Sequence, residues 1–198
     1  MFTYPGEVTG IPPGDAPSLL ATSYTLTADV TIPEGGAEGM LNTNGGRFGG
    51  YGFYLLKNKP VFNWNLLGLD HVRWEGPPLS PGNHTLEFDF TYDGLGFATL
   101  AFNNLSGIGR SGTGTLKVDG TAVSTQKMDR TIPIILQFDE SFDVGADTET
   151  GVDDKDYKVP FEFTGTLNTL TVSIAPPKLT PEDEKRLQEG QAAAADQR

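Results

Sequence analysis

The chain has no cysteine, only two histidines and no long apolar run. Without cysteine, a disulfide scaffold, a thiolate zinc site and a thiol nucleophile are excluded. Basic residues are scarce as well: 14 Lys and Arg stand against 26 Asp and Glu, for a net charge of −12. A field of that sign repels a phosphate backbone, which argues against nucleic acid as a partner. Nothing approaches the ~18–20 apolar residues of a membrane-spanning helix, and the opening MFTYPGEVTGIPPGDAPSLL lacks the basic start and apolar middle of a signal peptide. The sequence therefore reads as soluble, with no membrane partner and no targeting signal.

Glycine and proline are plentiful, at 25 and 14 of 198 residues, so long helices do not dominate. The hydrophobic share of 37% and the aromatic share of 10% are too high for a disordered chain, and the length suits one packed domain. The apolar residues alternate with a period of two. In SYTLTADVTI, residues 23–32, Tyr24, Leu26, Ala28, Val30 and Ile32 share one face while Thr25, Thr27, Asp29 and Thr31 share the other. Residues 84–92 repeat the pattern with Leu86, Phe88, Phe90 and Tyr92. Asp119-Gly120 between two such runs predicts a tight hairpin joining 115–118 to 121–128, and Lys57-Asn58-Lys59 predicts another between 51–56 and 60–65. With further strands expected at 40–43, 71–75, 132–138 and 167–174, about ten strands follow one another without intervening helices. This predicts an all-β fold, an antiparallel two-sheet sandwich.

Residues 1–22 hold no periodic element and are expected as a leader or linker, 23–175 as the sandwich, and 176–198 as a charged helical or disordered tail. In that tail Thr180 suits an N-cap and Pro181 the first helical position, with Glu182 and Asp183 favourable at the positive end of the helix dipole.

The strongest cluster of chemistry-bearing residues spans 138–157, where eight acids accompany one base, Lys155. It reads first as a solvated acidic loop. Its other reading is a calcium site, because crowded carboxylates repel unless a hard cation takes them as ligands, and Asp139, Glu140, Asp143 and Asp147 are the candidates. The spacing does not fit the EF-hand pattern, and no specific pair of carboxylates points to glycoside hydrolysis. A Ser-His-Asp triad would need His71 or His84 beside an activated serine, and His84 reads as a solvent-facing residue at a strand start. A polar-ligand or sugar site needs aromatic rings, Arg and Asn together, which makes Arg47, Trp64, His71, Arg73 and Trp74 the ligand-binding candidates. The competing reading puts the aromatics in the core.

Several colinear blocks also resemble one family. They are Phe2-Thr-Tyr-Pro-Gly, Ile11-Pro-Pro-Gly-Asp-Ala-Pro, Ala28-Asp-Val-Thr-Ile-Pro-Glu-Gly-Gly and Gly45-Gly-Arg-Phe-Gly-Gly-Tyr-Gly-Phe-Tyr-Leu. In order there follow Lys59-Pro-Val-Phe-Asn-Trp-Asn, Gly82-Asn-His-Thr-Leu-Glu-Phe-Asp-Phe, Gly112-Thr-Gly-Thr-Leu-Lys-Val-Asp-Gly, Asp139-Glu-Ser-Phe-Asp-Val-Gly-Ala-Asp-Thr and Pro160-Phe-Glu-Phe-Thr-Gly-Thr-Leu. Together they resemble the C-terminal β-sandwich region of long bacterial arylsulfatases. The resemblance implies a concanavalin-like or laminin-G-like jelly roll with a short C-terminal helix, packing as an accessory domain against a sulfatase catalytic domain in cis or in trans. It implies periplasmic or secreted relatives. The family's catalytic signature, Cys or Ser followed by Pro and Arg at alternate positions, is missing here, since no proline is followed two residues later by arginine. No catalytic residue and no sulfuric ester hydrolase activity is therefore expected from this chain alone. The alternative function is a stand-alone laminin-G-like carbohydrate-binding module.

Overall fold

The structure is a computed structural model. It describes residues 1–94, 109–132 and 140–176, with positions 180–182, 184, 185, 188, 189 and 192 of the tail. Twelve strands are described: β1 (Phe2–Tyr4), β2 (Val8–Ile11), β3 (Tyr24–Ile32), β4 (Gly39–Gly46), β5 (Gly49–Leu56), β6 (Lys59–Leu66), β7 (Asp70–Glu75), β8 (Gly82–Tyr92), β9 (Gly112–Val118), β10 (Thr121–Met128), β11 (Phe142–Val144) and β12 (Thr166–Ile174). They form two six-stranded sheets of order β1-β12-β3-β8-β9-β10 and β2-β11-β4-β5-β6-β7, with every pairing antiparallel. The fold is the expected all-β sandwich. Helical backbone occurs among the described tail positions, where the Glu184 amide donates to the Thr180 carbonyl at 3.0 Å. No helix among the described residues is long and apolar enough to cross a membrane.

The alternating runs meet between the sheets. Leu26, Ala28, Val30, Leu86, Phe88 and Leu116 from the first sheet face Leu41, Phe53, Phe62 and Trp74 from the second, all fully buried. Phe62 and Phe88 stack across the interface with centroids 3.5 Å apart, and Trp74 meets Phe88 edge-on at 4.9 Å. Gly114 permits this packing, because a Cβ there would lie 2.6 Å from the Trp74 ring and 2.7 Å from that of Phe88. Its carbonyl also accepts the Trp74 indole N–H at 2.9 Å.

Strands β4, β5 and β6 of the second sheet are buried on both faces. Residues 145–163 run over the sheet's outer side, bonded back on themselves between Asp147 and Phe161 (3.3 and 3.0 Å) and from Phe163 N–H to the Gly145 carbonyl (2.9 Å), and tied to β4 by Gly145 N–H to the Leu41 carbonyl (3.0 Å) and Met40 N–H to the Phe161 carbonyl (3.2 Å). Under this cover Met40, Tyr54, Val61 and Tyr157 form a second apolar cluster, joined by Leu56, Val159 and Phe161. Gly39 has a φ of 124°, and a Cβ there would come 2.1 Å from the Glu162 carbonyl oxygen, so the cover passes directly over the β4 backbone. The first sheet's outer face is open and polar, with Thr25 bonded to Asp89 and Lys117 paired with Glu87 at 2.6 Å.

Residues 1–22, expected as a leader, contribute edge strands to both sheets. Phe2 pairs with Val172, Val8 pairs with Val144, and the Tyr4 ring packs on Phe142 at 5.4 Å. Leu19 and Ala21 are buried in the main core. Three- and four-residue strands leave little periodicity to read in a Pro- and Gly-rich stretch.

Candidate functional site

The β4–β5 and β6–β7 hairpins turn at the same end of the second sheet, at Arg47-Phe48 and at residues 67–69. On β6, Phe62, Trp64 and Leu66 point into the core, which sends Asn63 and Asn65 to the covered face. Asn65 is 1% exposed, and its amide joins three segments. Its Nδ2 donates to the carbonyls of Gly46 (2.9 Å), Arg47 (2.9 Å) and Val152 (3.2 Å), while its Oδ1 accepts the Gly68 N–H at 2.7 Å. One side chain thus fixes both hairpin turns and the cover relative to each other.

Beside this staple lies an open cleft of about 570 Å³, walled by Arg47, His71, Asp153, Asp154 and Lys155 with Asn65 at its floor. Arg47 stands at the mouth with its side chain 56% exposed. Its Nε donates to Asp154 at 2.7 Å, and its backbone N–H donates to the Thr150 hydroxyl at 3.0 Å. Among the described residues its two Nη atoms carry no bond. The Arg47 guanidinium holds the Asp154 carboxyl below the usual carboxylate range. His71 Nδ1 lies 3.2 Å from Asn63 Oδ1 and 3.8 Å from Asp153, and Asn63 Nδ2 donates to Asp153 at 3.3 Å.

The ligand-binding candidates divide three ways. Arg47 and His71 come together in the cleft. Arg73, one strand register further along β7, is committed internally: it pairs closely with Asp156, donates to the Tyr54 hydroxyl at 3.2 Å and pairs with Glu75 at 3.3 Å. Lys59 then holds the Glu75 carboxyl below its ordinary range, with Arg73 adding to the effect. Trp64 and Trp74 are core residues, which corrects their place among the ligand-binding candidates. They are 2% and 0% exposed, and the Trp64 indole donates to Tyr24 Oη at 3.0 Å. Strand alternation puts them opposite Asn63 and Arg73, so the Trp and Arg side chains of β6 and β7 cannot share a face.

The acidic cluster is not a bare solvated loop. Residues 142–144 form β11 within the second sheet, and the carboxylates accept from protein donors. Asp143 Oδ1 takes the Gly10 N–H and the Ser141 hydroxyl, both at 2.7 Å, and Oδ2 takes the Thr148 hydroxyl at 2.7 Å. Glu140 accepts from the Thr150 hydroxyl and from its N–H at 3.3 Å, and burial raises its pKa. Asp147 accepts from Tyr157 Oη at 2.5 Å; burial, with Glu140 and Asp143 nearby, pushes its pKa up to about 7. Asp139 lies outside the described residues. Among the described residues no three His, Cys, Asp or Glu side chains converge in a way that could hold a metal ion.

His84 makes a triad-like line with Asp119 (Nδ1, 2.8 Å) and the Ser80 hydroxyl (Nε2, 3.3 Å). Its Nε2 also donates to the Ser80 carbonyl at 2.9 Å. Burial alone would lower its pKa, but Asp119 and that carbonyl outweigh it and raise it, and the ring braces the start of β8 against the Asp119 turn.

Sequence reasoning missed the clasp role of Asn65 and the wall residues Asp153 and Asp154. No local signal marked them, because Asn63 and Asn65 read as the outward face of β6 and only the fold-back of 145–163 buries them.

No family model matches the chain, and no curated protein is similar to it. Solved structures are similar over nearly the whole length. A carbohydrate-binding module, CBM40, of the Ruminococcus gnavus IT-sialidase superposes with a TM-score of 0.58 at 14% identity, covering 96% of this chain and 98% of that one. The same module bound to α2,3-sialyllactose gives 0.57 at 13%, with 96% and 98% covered. Bound to α2,6-sialyllactose it gives 0.56 at 14%, with 94% and 97% covered. At this identity the likeness establishes the fold. It also overturns the arylsulfatase resemblance and the role as a sulfatase accessory domain: the similar structures are sialidase modules, and nothing found supports a sulfatase. The blocks that carried the resemblance are strand-and-turn strings rich in Gly and aromatics, which many jelly rolls require.

Proposed function

We propose that this chain is a carbohydrate-binding module for glycans ending in an acidic sugar, sialic acid being the leading candidate, held in the cleft beside Arg47. The observation that carries this reading is the Arg47 guanidinium. It is fixed at Nε by Asp154 and presents a free two-nitrogen edge at the mouth of a polar cleft. That edge matches a carboxylate in a bidentate pair. The Arg47–Asp154 pair is largely exposed, and such a pair contributes little stability, so a ligand carboxylate can share or replace Asp154 at small cost. His71 and Asp153, braced from behind by the buried Asn63, supply donors and acceptors for hydroxyls along the wall. The ligand class is suggested by the similar modules whose structures contain sialyllactose.

The test is titration calorimetry with α2,3-sialyllactose, α2,6-sialyllactose and lactose. The expected result is binding of one or both sialylated sugars, no binding of lactose, and a loss of at least about tenfold in Arg47→Gln, as for removal of a hydrogen-bonded charged group. Equal affinity for lactose, or unchanged affinity in Arg47→Gln, would overturn the proposal.

A further inference from the structure

Two hairpin turns at the cleft mouth break the usual rules for turn residues. The β4–β5 turn carries Phe48, 63% exposed, and the β6–β7 turn carries Leu67 and Leu69, 53% and 89% exposed. These three are half of the large hydrophobic side chains exposed among the described residues, and they gather at one tip. Leu67 has a φ of 58°, a left-handed conformation in which Asn or Gly is the unstrained choice. A residue that is strained, apolar and exposed has no folding rationale, and violations of this kind concentrate at functional sites. The Asn65 staple holds the two tips at a fixed separation, since it bonds the Arg47 carbonyl in one turn and the Gly68 amide in the other.

We infer that this tip inserts into the interfacial region of a lipid bilayer, so that the module binds its acidic glycan as the headgroup of a glycolipid. The inference rests on the glycan-binding reading above. Three such side chains expose roughly a few hundred Å², far below the ~800 Å² per partner of a stable protein interface. Leu67 and Leu69 also line a shallow pocket of about 370 Å³ with Leu66, Arg130 and Ile132. The net charge of −12 disfavours an anionic bilayer, which leaves a zwitterionic one whose attraction comes from the glycan. Shallow insertion of a few apolar groups is weak alone and becomes effective when a second site on the same ligand holds the protein at the surface.

The experiment compares binding to soluble sialyllactose, to phosphatidylcholine vesicles carrying a sialyllactosyl lipid, and to plain phosphatidylcholine vesicles. The wild type is compared with Leu67→Asn and with the double variant Phe48→Ser/Leu67→Asn, which leaves Leu69 in the wall of the glycan cleft untouched. Asn suits the left-handed turn at 67, so the backbone there is kept. The expected result is glycolipid vesicles bound at least about tenfold more tightly than soluble sugar, weak or no binding to plain vesicles, and loss of that advantage in the double variant with soluble affinity unchanged. Equal losses for vesicle and soluble sugar would place the tip on the sugar and overturn the inference, as would no loss at all. Self-association in sedimentation that vanishes in the double variant would assign the tip to a second protein and overturn it too. Wild type that binds soluble sialyllactose without preferring vesicles defeats this inference alone, whereas failure to bind any sialylated probe defeats the glycan reading with it.

Discussion

Asp147→Asn tests how the cover over the second sheet is held. Asp147 is 2% exposed, sits where the cover is bonded back on itself, and accepts from Tyr157. Its pKa rises from the ordinary 3.8 to about 7, chiefly through burial. A folded carboxyl with a raised pKa binds its proton more tightly than the unfolded one, so between those values the folded state carries more protons and stability falls as pH rises. A shift of about three units at ~1.4 kcal/mol each corresponds to about 4 kcal/mol, present in full below pH 4 and gone above pH 7. Asparagine keeps an acceptor for Tyr157 and cannot ionise. Urea unfolding followed by fluorescence of buried Trp64 and Trp74, run from pH 4 to pH 8, should show the wild type losing stability toward neutrality and Asp147→Asn losing much less. At pH 8 the variant should be the more stable by a few kcal/mol. His84, also with a raised pKa, adds stability at low pH that is lost as pH rises through its folded value, but it titrates in both proteins and cancels in the difference. A variant that follows the wild-type slope, or is less stable at pH 8, would refute the reasoning.

Two further perturbations test the packing and the clasp. Asn65→Ala strips three carbonyls, two of them buried, and one N–H of a partner and should cost about 2–4 kcal/mol, read as a fall in Tm, and should weaken sialyllactose binding by releasing the Arg47 turn. Gly114→Ala places a methyl against the Trp74 and Phe88 rings and should cost about 1–3 kcal/mol in urea unfolding; a neutral result would mean the interface between the sheets is looser than described.

The sandwich itself was legible because β3 and β8 each keep one apolar and one polar face. The Asp119-Gly120 hairpin was legible because both turn residues take the positive φ that Asp-Gly favours. β11 was not, since its three residues sit in an acidic run and are set by pairing with β4 and β2, a long-range event. The strand expected at 132–138 falls almost entirely outside the described residues, and Ile132 itself is a buried core residue. Alternation in β6 correctly separated Phe62, Trp64 and Leu66 from Val61, Asn63 and Asn65, but it could not reveal that the polar face is buried as well. That depends on where 145–163 folds back, which no local pattern encodes. For the same reason Arg47 and His71 could be named as candidates, whereas the acids that flank them could not.

The register of β1 against β12 has a mechanical consequence. Phe2 lies opposite Val172 and Tyr4 opposite Leu170, so the chain arrives at and departs from the first sheet side by side at one end of an antiparallel pair. Tension applied between these two points loads the backbone bonds one after another instead of together. β1 should therefore peel from β12 at low force while the interlocked aromatic rings between the sheets stay intact, so the molecule yields first at its edge.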